Sequence, residues 1–269
     1  MSGKNSTSVE LLGSVQVRRH DLLIPIRSSK VRTLLAMLAL HAGSPVSAET
    51  LIDELWGQNP PVKSRNALQA TVARLRRQLQ GAKPWAGDEN SELVRTASMG
   101  YLLDLPSDTV DAHRFSTLAS EGGRYASSDP GRAIPLLQSA LALWRGPALF
   151  GADAGMRCAA AVARLWEIRL CTQEDLFAAQ LAVGDYREPL SELRQLTPCH
   201  PERERLAELL MIALYLSGQQ AQALSEFHRA RTWLLTELGL QPGPALHRLQ
   251  QAILQQQTTV PNLLWSRAV

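Results

Sequence analysis

The stretch "NALQATVARLRRQL", Asn66 to Leu79, decides how the rest of the chain is read. Leu68, Val72, Leu75 and Leu79 recur at helical spacing and make one apolar stripe. At about 100° per residue, Lys63, Asn66, Ala70, Ala73, Arg74 and Arg77 fall on the opposite side, with Gln69 and Arg76 on one flank. A helix that meets only water more often carries Glu or Lys at the middle of its outer face. Two alanines there let a backbone come close to another surface. The expected helix is two-sided, apolar inward and cationic outward.

The charge around it has one sign. No acid occurs between Glu54 and Asp88, whereas Lys63, Arg65, Arg74, Arg76, Arg77 and Lys83 all fall in that interval. The whole 269-residue chain carries only +3, but residues 1–105 are net positive and the remainder slightly negative. Such a block suits a polyanionic partner. On charge alone, a merely solvated face is the better explanation. The elements on either side decide between the two.

Upstream, "VELLGSVQVRRHDLLIPI" (Val9–Ile26) is rich in β-branched residues and leucine, with Gly13 and "RRHD" as turn signals. It predicts two or three short antiparallel strands. "VRTLLAMLALHAG" is a helix of good formers closing on Gly43. In "SPVSAETLIDELWG", Ser47 is the expected N-cap, Glu49 and Thr50 lie in the first turn, and Leu51, Ile52, Leu55 and Trp56 form the buried face. "GQNPPV" is a loop, because Pro60 and Pro61 lack amide donors and bias the preceding residue away from helix. Downstream, "LVRTASMGYLLDL" (Leu93–Leu105) has two apolar runs about a turn containing Gly100, the pattern of a β-hairpin. Strands, three helices and a closing hairpin, with the third helix cationic, is the order of a winged helix-turn-helix domain. In that arrangement the third helix enters the major groove and the hairpin lies against the neighbouring backbone. The order shifts the balance toward DNA.

From Asp111 onward the composition turns to Ala, Leu, Gln and Arg with helical periodicity. "DAHRFSTLASEGGRYAS" and "RAIPLLQSALALWRG" read as two helices; "LCTQEDLFAAQLAVGDYREPLSELRQL" and "RLAELLMIALYLSGQQAQALSEFHRARTWLL" each read as helix, turn, helix. Gly184 and Gly218, Leu181 and Tyr215, Leu190 and Leu224, and Leu193 and Phe227 are each 34 residues apart. That is the tetratricopeptide period, in which helical pairs stack because one pair cannot bury its apolar face alone. The earlier helices are expected as a diverged first repeat or cap. Pro135 and Pro189 predict a local kink or a shifted helix start. The expected fold class is mainly α with small β: a winged helix-turn-helix domain over 9–105, then "SDTVDA", then an all-α tetratricopeptide-like domain over 111–254.

No run of about 18 apolar residues exists, so no membrane span or membrane partner is expected. "MSGKNSTSVE" lacks the apolar core of a secretory signal. Cys158, Cys171 and Cys199 show no paired ligand spacing, which points to unligated thiols in a reducing cytoplasm. His20, His41, His113, His200, His228 and His247 form no metal-site spacing. Trp56, Trp144, Trp166 and Trp233 are expected in the core or in helix packing. No nucleophile, base and orienting group come together, so neither catalysis nor a cofactor or metal is expected.

These residues resemble the Streptomyces antibiotic regulatory protein family of bacterial transcription activators. The N-terminal part looks like an OmpR-type winged helix through "RTLLAMLALHAGSPVSAETLIDELWG", "NALQATVARLRRQL" and "VRTASMGYLL". The remainder is similar to the bacterial transcriptional activation domain through "DAHRF", "ALALWRGPAL", "RERLAELLMIALYLSGQQAQALSEFHRAR" and "LLTELGLQPGPALHRLQQAIL". The likeness covers about residues 9–254. It implies direct-repeat promoter DNA as target, a side-by-side homodimer on that DNA, and activation through RNA polymerase holoenzyme and its sigma factor. Family contacts map by motif onto Asn66, Thr71, Arg74, Arg76 and Arg77. The wing turn "ASM" carries no arginine, so minor-groove insertion at its tip is not implied. No phosphate-binding G-x-x-x-x-G-K-[ST] motif occurs, so the NTPase module of larger members is absent from this sequence. No receiver domain is expected ahead of the winged helix, so phosphorylation by a sensor kinase is not implied.

Arg74 is the expected base reader, because a guanidinium can bond guanine O6 and N7 together; a phosphate contact is the alternative. Arg76 and Arg77, near the helix end, suit phosphates, as do Lys63 and Arg65 near its start. Asn66 and Gln69 can present an amide to adenine or simply fill the helix surface. Thr71, at the edge of the apolar stripe, suits a thymine methyl, a phosphate or packing. The resulting expectation is a cytoplasmic, nucleoid-associated activator of an antibiotic or secondary-metabolite gene cluster. Its rival is a tetratricopeptide interaction scaffold whose winged helix binds no DNA.

Overall fold

The structure is a computed structural model in which residues 7–19, 22–80, 93–153 and 155–257 are described. Lys83, the His20–Asp21 part of the expected turn and the end of the chain lie outside the described residues. Three short strands, β1 (Thr7–Glu10), β2 (Gln16–Arg19) and β3 (Leu22–Ile24), form an antiparallel sheet in that order. Alternation places Thr7 and Val9 inward from β1. Helix α1 (Ser29–Leu40) follows and is buried over most of its surface, including Leu34, Leu35 and Leu38. Gly43 ends the turn after it with φ +76°, a conformation open to glycine at no steric cost, and donates to the Leu103 carbonyl at 2.9 Å.

A two-residue strand, β4 (Val46–Ser47), leads into α2 (Ala48–Trp56). Ser47 caps it as expected, its hydroxyl accepting from the Thr50 amide at 3.1 Å. The buried face departs from expectation: Ile52 and Trp56 are half-buried, while Glu54 lies beside Leu51 and Leu55 in the interior. Then come α3 (Ser64–Gln80) and the hairpin β5 (Val94–Ala97) and β6 (Gly100–Leu103). The small strand β4, which periodicity did not reveal, pairs with β6 to give the order β4-β6-β5. Gly100 is dictated by that pairing, since a Cβ on it would fall 1.9 Å from the Val46 carbonyl oxygen.

After a 3₁₀ turn (Ser107–Thr109) the chain is helical: α4 (Asp111–Tyr125), α5 (Pro130–Leu141), α6 (Met156–Ala182), α7 (Arg187–Leu196), α8 (Glu204–Leu216) and α9 (Gln220–Trp233). A π turn (Leu234–Leu238) and α10 (Pro244–Leu254) end the described fold. Pro135 sits inside α5, and Pro189 falls in the first turn of α7, the shifted start that its ring requires. Helix α6 begins well before the expected Leu170.

The chain divides into two compact units. One comprises Met1–Ala119 with Ser139–Arg169, the other Ser120–Gln138 with Leu170–Val269. In the first, the winged-helix elements share one core with Val110, Phe115, Leu149 and Leu165. The Asp111 carboxylate accepts from the amides of Leu11 at 2.6 Å and Leu12 at 3.0 Å. Residues 145–150 run along the same turn, with the Leu149 amide donating to the Leu11 carbonyl and the Phe150 amide to the Gly13 carbonyl. Trp144 stacks edge-on against Phe115, and the Arg169 guanidinium lies over Trp144 at 4.7 Å and Trp166 at 5.3 Å. Trp166 meets Trp144 edge-on at 6.4 Å and remains 42% exposed.

In the second unit the two helical pairs repeat one turn geometry. Gly184 and Gly218 have φ +84° and +75°. The Asp185 amide donates to Gln180 at 3.0 Å, and the Gln219 amide to Leu214 at 2.9 Å, so the turn hydrogen bonds also recur one period apart. Leu193 and Phe227 occupy matching core positions, as do Pro189 and Ala223.

Around β1, Arg145 reaches Glu10 at 3.5 Å and Asp111 at 3.3 Å. Burial pushes Asp111 up, against the amides of Leu12 and Leu11 and the Arg145 charge. Burial also pushes Glu10 up, but hydrogen bonds from Gln16 and Arg18 and the charges of Arg145 and Arg18 outweigh it, leaving the group below its ordinary 4.5. A carboxylate held below its unfolded value stabilises fully above 4.5, and that stabilisation is lost as the pH falls through the folded value. Glu10→Gln is expected to narrow the stability that the protein loses between about pH 6 and about pH 4. Urea midpoints at both pH values measure this; an equal loss in the two proteins contradicts the sign.

Candidate nucleic-acid interface

Helix α3 is set by the turn before it and the core beneath it. Gly57 ends α2 with φ +54°, and the Pro60–Pro61 loop carries the chain to Lys63. Leu68, Val72, Leu75 and Leu79 are buried in the core shared with α1 and α2. Lys63, Arg65, Asn66, Gln69, Ala70, Ala73, Arg74 and Arg77 are exposed. The two alanines leave the middle of that face low, with Arg74 and Arg77 one turn apart beside them.

Three of the expected residues have protein partners. Thr71 is buried, and its hydroxyl donates to the Ala67 carbonyl at 2.8 Å. Of the roles open to Thr71, packing is the one that this burial fits, and its hydroxyl donor is spent on its own helix rather than offered outward. Arg76 crosses to the hairpin, donating from Nε to the Val94 carbonyl and from Nη2 to Thr96 Oγ1, each at 3.0 Å. It ties the helix to the wing. Arg65 pairs with Glu49 at 2.9 Å, both side chains well exposed. The Glu49 backbone amide, then Arg65, hold the Glu49 carboxyl below its usual range. Water and salt screen such a pair, so a phosphate can take the place of the carboxylate.

The hairpin supplies the other wall. Between α3 and the wing runs an open groove bordered by Glu49, Arg65, Gln69, Ser98 and Met99. Met99 at the tip is 75% exposed. Arg95 on β5 is exposed too and pairs with Asp104 at 2.7 Å. It is a cation that sequence reading passed over, although strand alternation from buried Val94 puts it on the solvent side. Helix face, groove and wing form one exposed surface carrying guanidinium and amide donors. Among the described residues, no group of His, Cys, Asp and Glu is placed to hold a metal ion, and no helix is long and apolar enough to cross a membrane.

Residues 26–103 match the family model "Transcriptional regulatory protein, C terminal", and residues 110–254 match "Bacterial transcriptional activator domain". The chain is 43% identical over 260 residues to Transcriptional regulator RedD of Streptomyces coelicolor, covering 96% of this chain and 73% of RedD. It is 36% identical over 249 residues to Regulatory protein DnrI of Streptomyces peucetius, covering 92% of each. Regulatory protein AfsR of Streptomyces coelicolor is 38% identical over 91% of this chain, which spans only 24% of that longer relative. Among solved structures, "Mycobacterium tuberculosis EmbR in complex with low affinity phosphopeptide" aligns with a TM-score of 0.88 at 32% identity, over 96% of this chain and 68% of EmbR. The relatives are named as regulators, not enzymes. With both halves matched in order, the chain belongs to the Streptomyces antibiotic regulatory protein family of transcriptional activators, a winged helix-turn-helix followed by a helical activation domain.

Proposed function

We propose that residues 9–105 bind direct repeats in promoter DNA, and that residues 111–254 serve dimerisation and the recruitment of RNA polymerase holoenzyme through its sigma factor. The target is the promoter of an antibiotic or secondary-metabolite gene cluster, and the protein acts in the cytoplasm, at the nucleoid. One observation carries this reading: the outer face of α3 is exposed and cationic over the buried stripe that fixes it. Arg74 reads a base edge, while Lys63 and Arg77 neutralise phosphates. Asn66 and Gln69 lie on the same exposed face and can present amides to adenine. Arg65 joins the phosphate contacts when it exchanges Glu49, and Arg76 acts by holding the wing against the helix. Repeats bound by two copies would lie about one helical turn, ~10–10.5 bp, apart.

Gel shifts on promoter fragments across a salt series test the reading. A steep loss of affinity with salt supports it, and no retention at low salt supports the interaction scaffold instead. Arg77→Ala is expected to weaken binding to all sequences alike and to reduce the slope of log K against log salt by about 1. An unchanged slope removes Arg77 from the phosphate contacts. A promoter–reporter measurement with lower output in the presence of the protein would make it a repressor on that promoter.

A further inference from the structure

We propose that Glu54 is a positioning residue for the DNA-facing helix: it clamps α2 to the N-terminus of α6 and so sets the platform on which α3 lies. The inference rests on the reading of α3 given above. Glu54 is only 4% exposed. Its Oε2 accepts from the Arg157 amide and its Oε1 from the Cys158 amide, both at 2.9 Å. Those amides belong to the first turn of α6, where backbone donors have no intrahelical acceptor and the helix dipole favours negative charge. A buried carboxylate without such donors is costly, as are buried amides without an acceptor. Each solves the other's problem across more than a hundred residues of sequence. Burial, with the Glu54 carboxylate beside it, pushes the Cys158 thiol up, so the thiol stays neutral in this cluster.

The approach is as close as backbone permits. A Cβ on Gly155 would lie 2.6 Å from the Glu54 carbonyl oxygen and 2.8 Å from its Oε1. Helix α1 grips the loop that precedes α6. Arg32 Nη1 donates to the Gly151 carbonyl at 3.1 Å, Thr33 Oγ1 to the Asp153 carbonyl at 2.9 Å, and Ser29 Oγ to Asp153 Oδ2 at 2.6 Å. Lys30 Nζ meanwhile donates to the Leu55 carbonyl at the end of α2, at 2.7 Å. The two helices that carry α3 are therefore both fastened to Gly151, Asp153, Arg157 and Cys158 or to each other, and those residues lie far outside the winged-helix sequence. The core transmits that fastening, because Leu68, Val72 and Leu75 pack with Leu51, Leu55, Leu34 and Leu38 in one close-packed cluster. A released α2 would move α3 with it.

The test uses the full chain with Glu54→Gln, which keeps the shape but turns an amide N–H₂ toward a backbone N–H, and Gly155→Ala, which forces the same contact apart from the other side. Affinity is measured on a promoter fragment bound by the unsubstituted protein, at a temperature where circular dichroism finds each variant folded. Each single variant is expected to bind about 10-fold more weakly, with the salt slope unchanged because no phosphate contact is removed. The double variant should be no weaker than the weaker single, since both break one clamp. Hydrogen exchange at Arg157 and Cys158 should accelerate together with exchange along α3. Should Glu54→Gln fail to fold, Glu54→Asp, one methylene short of reaching both amides, replaces it and is expected to lose less affinity than Gly155→Ala. Lowered melting with unchanged affinity overturns the proposal and leaves Glu54 a stabilising residue only. If the unsubstituted protein binds no DNA, the reading of α3 fails instead; faster α3 exchange in the variants still supports the clamp, and unaltered α3 exchange ends it.

Discussion

Leu75→Ala is expected to destabilise the protein by about 2–5 kcal/mol, the range for a leucine removed from a core that cannot collapse around the gap. Leu75 has no exposed surface and stands at the middle of the α3 stripe, between Val72 and Leu79. The cost has two parts, the lost transfer of the side chain out of water and the cavity left among α1 and α2 residues. Stripe neighbours flank it in both directions along the helix, Val72 on one side and Leu79 on the other, so little can shift to fill the gap. Urea unfolding followed by circular dichroism measures it as a lowered midpoint for the unit that contains α3. A shift under about 0.5 kcal/mol, the size of an ordinary surface substitution, would mean that the stripe is not the face that holds the helix.

Arg74→Ala should leave that midpoint almost unmoved and act on DNA. The expected loss is about 1–3 kcal/mol of binding to the preferred promoter sequence, roughly 5- to 150-fold, with less loss on unrelated DNA, so that base preference blurs. Arg74 differs from Arg65 and Arg76 in its surroundings. Those two are engaged by Glu49 and by the wing, whereas Arg74 stands on the exposed face beside Ala70 and Ala73, where the helix backbone can come closest to a duplex. Competition gel shifts with specific and unrelated fragments at fixed salt separate the two effects. Equal losses on both fragments would place Arg74 on phosphate rather than on a base edge.

The contrast between these arginines marks what sequence could and could not convey about the site. The stripe through Leu68, Val72, Leu75 and Leu79 predicts which side of the helix is outward, and the exposed set follows from it. Periodicity gives a direction for each side chain but no partner for its end. Arg65, Arg76 and Arg77 look alike in "ARLRRQL" and its approach. Periodicity sets Arg76 on a flank and Arg77 outward, but only the placement of Glu49 before the helix and of Val94 and Thr96 after it gives Arg65 and Arg76 their partners. Thr71 reads as an edge position at 100° per residue, and the core took it in because its methyl fits and its hydroxyl finds the Ala67 carbonyl.

By itself the sequence determined the features that depend on neighbours a few residues away. These are the opening antiparallel strands, the Ser47 cap, the two-sided third helix, a closing hairpin near Gly100, and the 34-residue recurrence whose turns close on Gly184 and Gly218. Each is a pattern of period or turn chemistry, legible wherever it occurs. Tertiary structure alone decided the early start of α6 at Met156, the burial of Glu54, the strand β4 beside Gly100, and the joining of residues 110–119 and 139–169 to the winged-helix core. The reason is physical: a buried carboxylate or an unpaired helix start must find a partner, but nothing local says where along the chain that partner lies. Packing settles it, by bringing Glu54 and the first turn of α6 to hydrogen-bonding distance.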